Sequence, residues 1–455
     1  MYRTQSVILN RKKQSVICSY FDEWSLTSKA IYNSALFIER QLVSSSGKSE
    51  GMYSENEKEV RSLTREMIPR TQMTVGYAKL EKIIRKHKSE LYKRNLPNQS
   101  VQHCLKAVVH DIKSYFESLK QYKENPSAFT GKPKLTKYCK ADRKTFVLTN
   151  QGCVLYKQTD ETYKLKLPYI TRKDGILLDV PYLPADFKKL KEVRIVPFYD
   201  TYKLEIVYEQ FTKEKPHTLT KVASIDPGVD NLVTLVTEDE SLVINGRIIK
   251  SKNQWFNKRA SQLNSHLDKM YKTSKHEDSK QLTTLWKKRS LWMLDYLHKV
   301  SRYIINYCVE HKIGILVLGA NNGWKQKCNI GKTNMQNFVQ IPHNRLYNLI
   351  QYKAEAEGIQ VILQEESYTS KASYLDKDAI PTYNPEEENK KYSFSGKRIH
   401  RGLYNSADGT LLNADVNGAA NIYRKHFDET PFTAKSLQNV HKITIAAYIK
   451  NTYSE

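Results

Sequence analysis

The stretch "TLLNADVNGAANIYRKHF", residues 410–427, turns from a short strand into a helix and sets Asp415 at the junction. Asn417 and Asn421 follow, one helical turn apart. An aspartate there is an ordinary helix N-cap, its carboxylate taking N–H groups of the first turn. A second acid changes that reading. Asp226 stands near the end of an apolar strand in "KVASIDPGVDNLVTLV", where the plain role is a turn residue before Pro-Gly. Acids gathered from strand ends and helix starts suit phosphodiester hydrolysis by two divalent cations. Mg²⁺ takes oxygen ligands, and two ions about 4 Å apart need a cluster of carboxylates to hold them. One ion activates the attacking water and the other stabilises the leaving 3′ oxygen. Asp226 and Asp415 supply two ligands, and such a site requires a third.

Elements must bring those acids together. Residues 221–249 read as three strands joined by short turns, and long helices follow around 252–272 and 280–311. Next come an apolar strand "IGILVLG" ending at Gly319, a helix "NRLYNLIQYKAEAEG", a strand "IQVILQEE", a loop-rich insertion and the Asp415 helix. A three-strand meander followed by two strand–helix units is the order of an RNase H-like α/β sheet. In the helix over 280–311, Leu294, Leu297, Ile304, Ile305 and Cys308 share a face, and His298 on it reads as a core histidine before a catalytic one. Upstream the pattern differs. "YRTQSVILNRKKQSVICSYF" reads as a basic opening strand or hairpin, and residues 25–125 turn helical. Val101, Leu105, Val108, Ile112, Phe116 and Leu119 recur there at helical spacing. Residues 144–215 return to strands, so a helical block interrupts a small β domain.

The chain carries 73 Lys and Arg against 48 Asp and Glu, a formal net charge of +25 over 455 residues. A charge that large implies a polyanionic partner, because basic side chains neutralise phosphates and release counterions. A membrane surface is the rival. No stretch approaches the roughly 18 consecutive apolar residues of a spanning helix, and no signal-peptide pattern opens the chain. The six cysteines are scattered with no Cys-x-x-Cys pair. That argues against a disulfide framework or a zinc site and for reduced intracellular thiols.

Four motifs in order, "SIDPGVDNLVTLV", "GWKQ", "EESYTSKAS" and "NADVNGAANI", resemble the TnpB family. These are RNA-guided nucleases of bacterial insertion sequences, often labelled transposases and related to type V CRISPR effectors. The resemblance runs over essentially the whole chain and implies an α/β plus β architecture. Residues 1–20 and 136–220 would form a β wedge domain interrupted by a helical recognition domain, 21–135. Residues 221–369 and 409–430 would form the RuvC (RNase H-like) nuclease domain. An inserted loop domain, 370–408, would replace a zinc finger, and 431–455 would be an appended C-terminal tail. The implied activity is RNA-guided cleavage of double-stranded DNA beside a short flanking motif, with two Mg²⁺ ions. The implied partners are a guide RNA and target DNA, with no membrane. The implied form is a monomeric ribonucleoprotein in the bacterial cytoplasm, at the nucleoid.

The family's common third acid is a Glu ending the fourth strand, and here that position is Gly319. Taken literally, the nuclease is dead. Glu365 and Glu366, which end the next strand, offer another arrangement. Neighbouring strands lie about 4.8 Å apart, so the fifth strand sits roughly 10 Å from the first. A Glu side chain plus a metal bond of about 2.1 Å crosses much of that gap, provided nothing projects from the strand between. Rearranged relatives carry the acid three residues before the Thr of "YTSK", which points to Glu366 rather than Glu365. Asp226, Glu366 and Asp415 are therefore the expected metal ligands. Two rivals stand beside the nuclease: a nuclease-dead, RNA-guided DNA-binding repressor, and a strand-transfer transposase, which the fold alone does not exclude. The two zinc-binding Cys pairs of many relatives are missing. Asp376 and Asp378 occupy the first place, and Arg398 and Arg401 flank His400 at the second. No zinc is expected. Salt bridges, compact loop packing and plain solvation stay open for these charges. Trp324 in "NNGWKQK" suits a contact with the substrate strand as well as packing.

Overall fold

The computed structural model describes residues 2–69, 71–94, 96–158, 162–168, 177–180, 183, 187–210, 219–272, 279–320, 340–383, 391–400 and 402–445. The chain forms two compact units, one up to Phe211 and one from Thr212 onward.

The first unit begins with β1 (Tyr2–Ile8) and the helices α1 (Ser15–Ser45), α2 (Glu55–Thr64), α3 (Tyr77–His87), α4 (Ser89–Tyr92) and α5 (Asn98–Glu124). Strands β2 (Phe146–Thr149), β3 (Val154–Lys157), β4 (Tyr163–Lys166), β5 (Leu177–Val180), β6 (Phe187–Phe198) and β7 (Thr201–Gln210) follow. An antiparallel sheet runs β1-β7-β6-β2, so the opening strand pairs with the last one across the helical block. Strands β3, β4 and β5 form a separate small sheet. The helical spacing in α5 reflects burial of Val101, Leu105, Val108 and Ile112. Helix α1 starts at Ser15, inside the stretch read as an opening strand or hairpin. Its apolar residues Ile17, Cys18, Phe21 and Trp24 are buried at helical spacing. Phe21 meets Trp24, Phe146 and Tyr202 across the core.

The second unit begins with the meander β8 (Lys221–Pro227), β9 (Asn231–Val236) and β10 (Ser241–Asn245), then α6 (Arg247–Tyr271) and α7 (Lys280–Glu310). It continues with β11 (Ile313–Gly319), α8 (His343–Ala356) and β12 (Gln360–Gln364). Then come β13 (Lys397–His400), β14 (Leu403–Asn405), β15 (Leu411–Asn413), α9 (Ala414–Phe427), α10 (Ala434–Gln438) and β16 (Val440–Ile443). The main sheet runs β12-β11-β8-β9-β10-β16. Strands β8, β9 and β10 are antiparallel neighbours, while β11 lies parallel to β8 and β12 parallel to β11. This order puts β8 in the middle, with both faces covered. Ala223 and Ile225 join the core that holds Leu297, Val300 and Ile350 of α7 and α8. On the other face Val236 and Val243 pack with Val416, Ala419 and Tyr423 of α9. Strands buried on both sides read as continuous apolar runs, which is how β11 appears in the sequence.

The segment read as an appended tail is part of the fold as far as it is described. β16 adds to the sheet parallel to β10, and Phe432, Leu437 and Ile445 are buried. A four-residue edge strand, "VHKI", is too short and too polar to carry a strand pattern in sequence. Among the described residues, no helix is long and apolar enough to cross a membrane.

Candidate active site

Asp226 lies one residue from the end of β8, opposite Thr234 of β9. Asp415 lies in the first turn of α9, but it is not the cap. That role belongs to Asn413, whose side-chain oxygen accepts the N–H groups of Asp415 at 2.9 Å and Val416 at 3.3 Å. The carboxylate of Asp415 is thereby released for other partners. Its Oδ2 accepts from the Asn231 side chain at 2.7 Å, and its Oδ1 accepts from Arg398 of β13 at 3.2 Å.

Glu366 follows β12 by two residues, and Gly319 ends the strand between β12 and β8. A Cβ on Gly319 would stand 2.6 Å from Glu366 Oε2 and 2.6 Å from Ile422 Cδ1. The Glu366 carboxylate thus lies in the space that a side chain at 319 would fill. A second glycine makes the matching allowance from α9. A Cβ on Gly418 would stand 2.7 Å from Asp226 Oδ2. Helix α9 lies directly on β8, where the Ser224 hydroxyl donates to the Ala419 carbonyl at 2.7 Å. The small residues after Asp415 are what let the helix approach the β8 acid.

These placements appear in the acidities. Burial pushes the Asp226 carboxyl well above the usual carboxylate range, the charges of Glu366 and Asp415 push it the same way, and Arg398 opposes them. Burial, then the neighbouring Glu365, raises Glu366 to about 7, with Lys425 opposing. For Glu365 burial acts upward too, yet hydrogen bonds from Lys425 and Ser367 outweigh it and the carboxyl stays low. The two adjacent glutamates are therefore shifted in opposite directions.

The three expected ligands share one electrostatic neighbourhood, but they are not closed into a ligand shell. Among the described residues, no group of three or more His, Cys, Asp and Glu side chains is placed to hold a metal ion. Arg398 and Asn231 take both Asp415 oxygens, and carboxylates repel one another. In type the donors fit a hard divalent cation, since all are oxygens. The two glycine cradles give two of them room.

The asparagine pair acts on the neighbouring loop. Asn417 accepts the Tyr374 N–H and donates to the Ala372 carbonyl, at 3.0 and 2.8 Å. Asn421 donates to the Thr369 and Ala372 carbonyls at 2.9 and 2.7 Å. Both side chains are fully buried. The motifs "YTSKAS" and "NADVNGAANI" are two sides of one clamp.

In the inserted segment Arg398 pairs with Asp415, while Asp376 and Asp378 capture backbone N–H groups. Asp378 accepts the N–H groups of Ser373 and Ser395, and Asp376 accepts that of Ala407. His298 is exposed, which corrects its reading as a core residue. Trp324, Cys328 and Arg401 lie outside the described residues. Sequence reasoning missed Asn413, Asn231 and Lys425. Asn413 carried a signal, as a cap-type residue at the strand–helix junction; the other two carried none.

The sheet order, with acids on the central strand, the fifth strand and a covering helix, defines an α/β unit of RNase H-like build. Residues 205–325 match the family model OrfB_IS605, described as a probable transposase. Residues 343–422 match the Cas12f1-like TNB domain. A TnpB-like protein, ORF457, of Acidianus two-tailed virus is 26% identical over 213 residues, covering 45% of this chain and 42% of that protein. The match thus spans less than half of the curated relative's length. Among solved structures, Cas12f1 in a complex with sgRNA and target DNA shares the fold. Its TM-score is 0.52 at 15% identity, over 90% of this chain and 84% of that one. Over these residues the chain is similar to the OrfB_IS605 probable transposases, to Cas12f1-like proteins and to a TnpB-like protein.

Proposed function

We propose that this protein is an RNA-guided, Mg²⁺-dependent endonuclease of a transposable element that cuts double-stranded DNA beside a short flanking motif. The observation that carries the reading is Glu366 lying over Gly319, on the strand next to Asp226. A chain with glycine at the usual acid position retains a third carboxylate from the next strand. Asp226, Glu366 and Asp415 would hold two ions. Bound Mg²⁺ supplies activation of the attacking water and charge stabilisation at the leaving oxygen. The chain's own residues prepare that site. Asn231 orients the Asp415 carboxylate, and Asn417 and Asn421 fix the helix that bears it. The charge of +25 suits a guide RNA and its DNA heteroduplex, whose base pairing reads the sequence while protein contacts read backbone and shape.

The domain roles follow the same reading. The strands of residues 1–20 and 136–220 would grip the RNA and flanking duplex, with residues 21–135 as the recognition block. The protein would act in the bacterial cytoplasm, at the nucleoid. One observation favours the repressor reading, namely that the acids are not closed into a metal-holding group among the described residues. Both readings meet one test. The protein is purified with RNA from its own locus and given Mg²⁺ and plasmids carrying a guide-matched target beside randomised sequence. Cuts confined to one flanking motif are expected. Target binding without cuts would establish the repressor, and joined strands would establish a transposase.

A further inference from the structure

We propose that Lys425 is a positioning residue that selects Glu366 over Glu365 as the carboxylate offered to the metal site; this rests on the nuclease reading above. Two glutamates follow β12, and only one of them can face Gly319. The Lys425 side chain is 7% exposed, and its Nζ stands 2.5 Å from Glu365 Oε2. The same ammonium donates to the Ser367 carbonyl at 2.9 Å, the Ser367 hydroxyl at 3.2 Å and the Pro381 carbonyl at 3.1 Å. The other Glu365 oxygen accepts the Ser367 N–H at 2.7 Å. Glu365 is thus tied at both oxygens. The two glutamates are adjacent in the chain, so holding Glu365 at both oxygens leaves Glu366 as the one whose carboxylate lies over Gly319.

Lys425 does this from a distance. It sits near the end of α9, whose first turn carries Asp415. The ten-residue step from one to the other spans about 15 Å along a helix. One rigid helix therefore supplies a ligand at its start and sorts two candidate ligands at its end. A lysine there is more than a loop clamp, because it neutralises the carboxylate that would otherwise compete with Glu366 for the same cation.

The test uses the ribonucleoprotein in four forms: wild type, Lys425→Met, Glu365→Gln, and the double variant. Target cleavage is followed against Mg²⁺ concentration. Mn²⁺ binding is followed by EPR, with the Asp226→Asn complex as the blank. Lys425→Met is expected to lose about 10- to 100-fold in cleavage and in Asp226-dependent Mn²⁺ affinity, as removal of a ligand's support typically does. RNA and target binding should hold. Glu365→Gln alone should resemble wild type, and the double variant should recover most of the loss. Wild-type behaviour of Lys425→Met would overturn the proposal. So would a double variant no better than the single one, since Lys425 would then only hold the 367–381 loop. Thermal unfolding of all four forms separates either result from misfolding. If wild type binds target but never cuts, the nuclease reading fails, and the Mn²⁺ arm still decides on Lys425 by the same pattern.

Discussion

Two glycines decide where the acids can stand. At Gly319 an added methyl would meet Glu366 Oε2 and the buried Ile422, each at 2.6 Å. Ile422 is fully buried, so the added carbon must displace its side chain, the Glu366 carboxylate or both. Gly319→Ala should cost about 1–3 kcal/mol in urea unfolding, the usual range for one extra carbon in a filled space. It should also reduce cleavage more than that loss explains. Gly418→Ala should act likewise through Asp226, 2.7 Å from its added carbon. Asp226→Asn, Asp415→Asn and Glu366→Gln should each abolish cleavage in a plasmid assay while target binding in a gel shift survives. A Glu366→Gln form that cuts normally would remove this carboxylate from the site. The acids were legible because strand ends and helix starts can be placed from periodicity. What held them was not. Asp415 looked like its own cap, and only coordinates show Asn413 taking that role and Asn231 reaching over from β9.

At the scale of elements, helix α9 and the loop after β12 behave as one piece. Asn421→Ala would leave the Thr369 carbonyl without its side-chain donor, leave the Ala372 carbonyl with Asn417 alone, and remove one of two acceptors of Arg424, which donates to Asn421 Oδ1 at 3.1 Å. Each stranded buried group costs about 1–3 kcal/mol. The variant should unfold at clearly lower urea, and Asn421→Asp should fare no better, since a carboxylate cannot donate. A second element carries a pH signature. Glu39 of α1 is fully buried, and both its oxygens accept the Val75 N–H at 3.3 Å. Burial outweighs that bond and raises its carboxyl to about 7. An acid raised in the folded state keeps its proton while the unfolded chain loses it near 4.3. Stability should therefore fall as pH climbs from about 4 through 7, by at most about 4 kcal/mol from this group. Glu39→Gln should match wild type near pH 4 and exceed it above pH 7 in denaturant titrations. Elements buried on two faces, such as β8 and β11, were plain in the sequence. The start of α1 and strand β16 were hidden, because one continued a strand-like run and the other is short and polar.

For the whole molecule the governing quantity is charge. An excess of 25 positive charges on 455 residues opposes compaction unless an anion shares the surface, so the folded protein should be matched to a polyphosphate. Two anions compete for that role, nucleic acid and an acidic lipid surface. Neutralising phosphates of RNA releases condensed counterions, so affinity should fall linearly in log–log against salt. With six to ten phosphates engaged, the loss between about 50 and 200 mM salt is roughly 10³- to 10⁵-fold. Fluorescence anisotropy of labelled RNA from the protein's own locus measures the slope, and flotation with anionic vesicles measures the rival. The expected result is a steep slope on RNA and no flotation once RNA is bound. RNA guidance makes a further demand. Duplex DNA should bind tightly only when its sequence matches the bound RNA, and exchanging the guide segment should move the preferred target with no change in protein. Equal duplex binding with and without RNA, or targets that ignore the exchanged guide, would show that the basic surface serves DNA directly and that the guided reading is wrong.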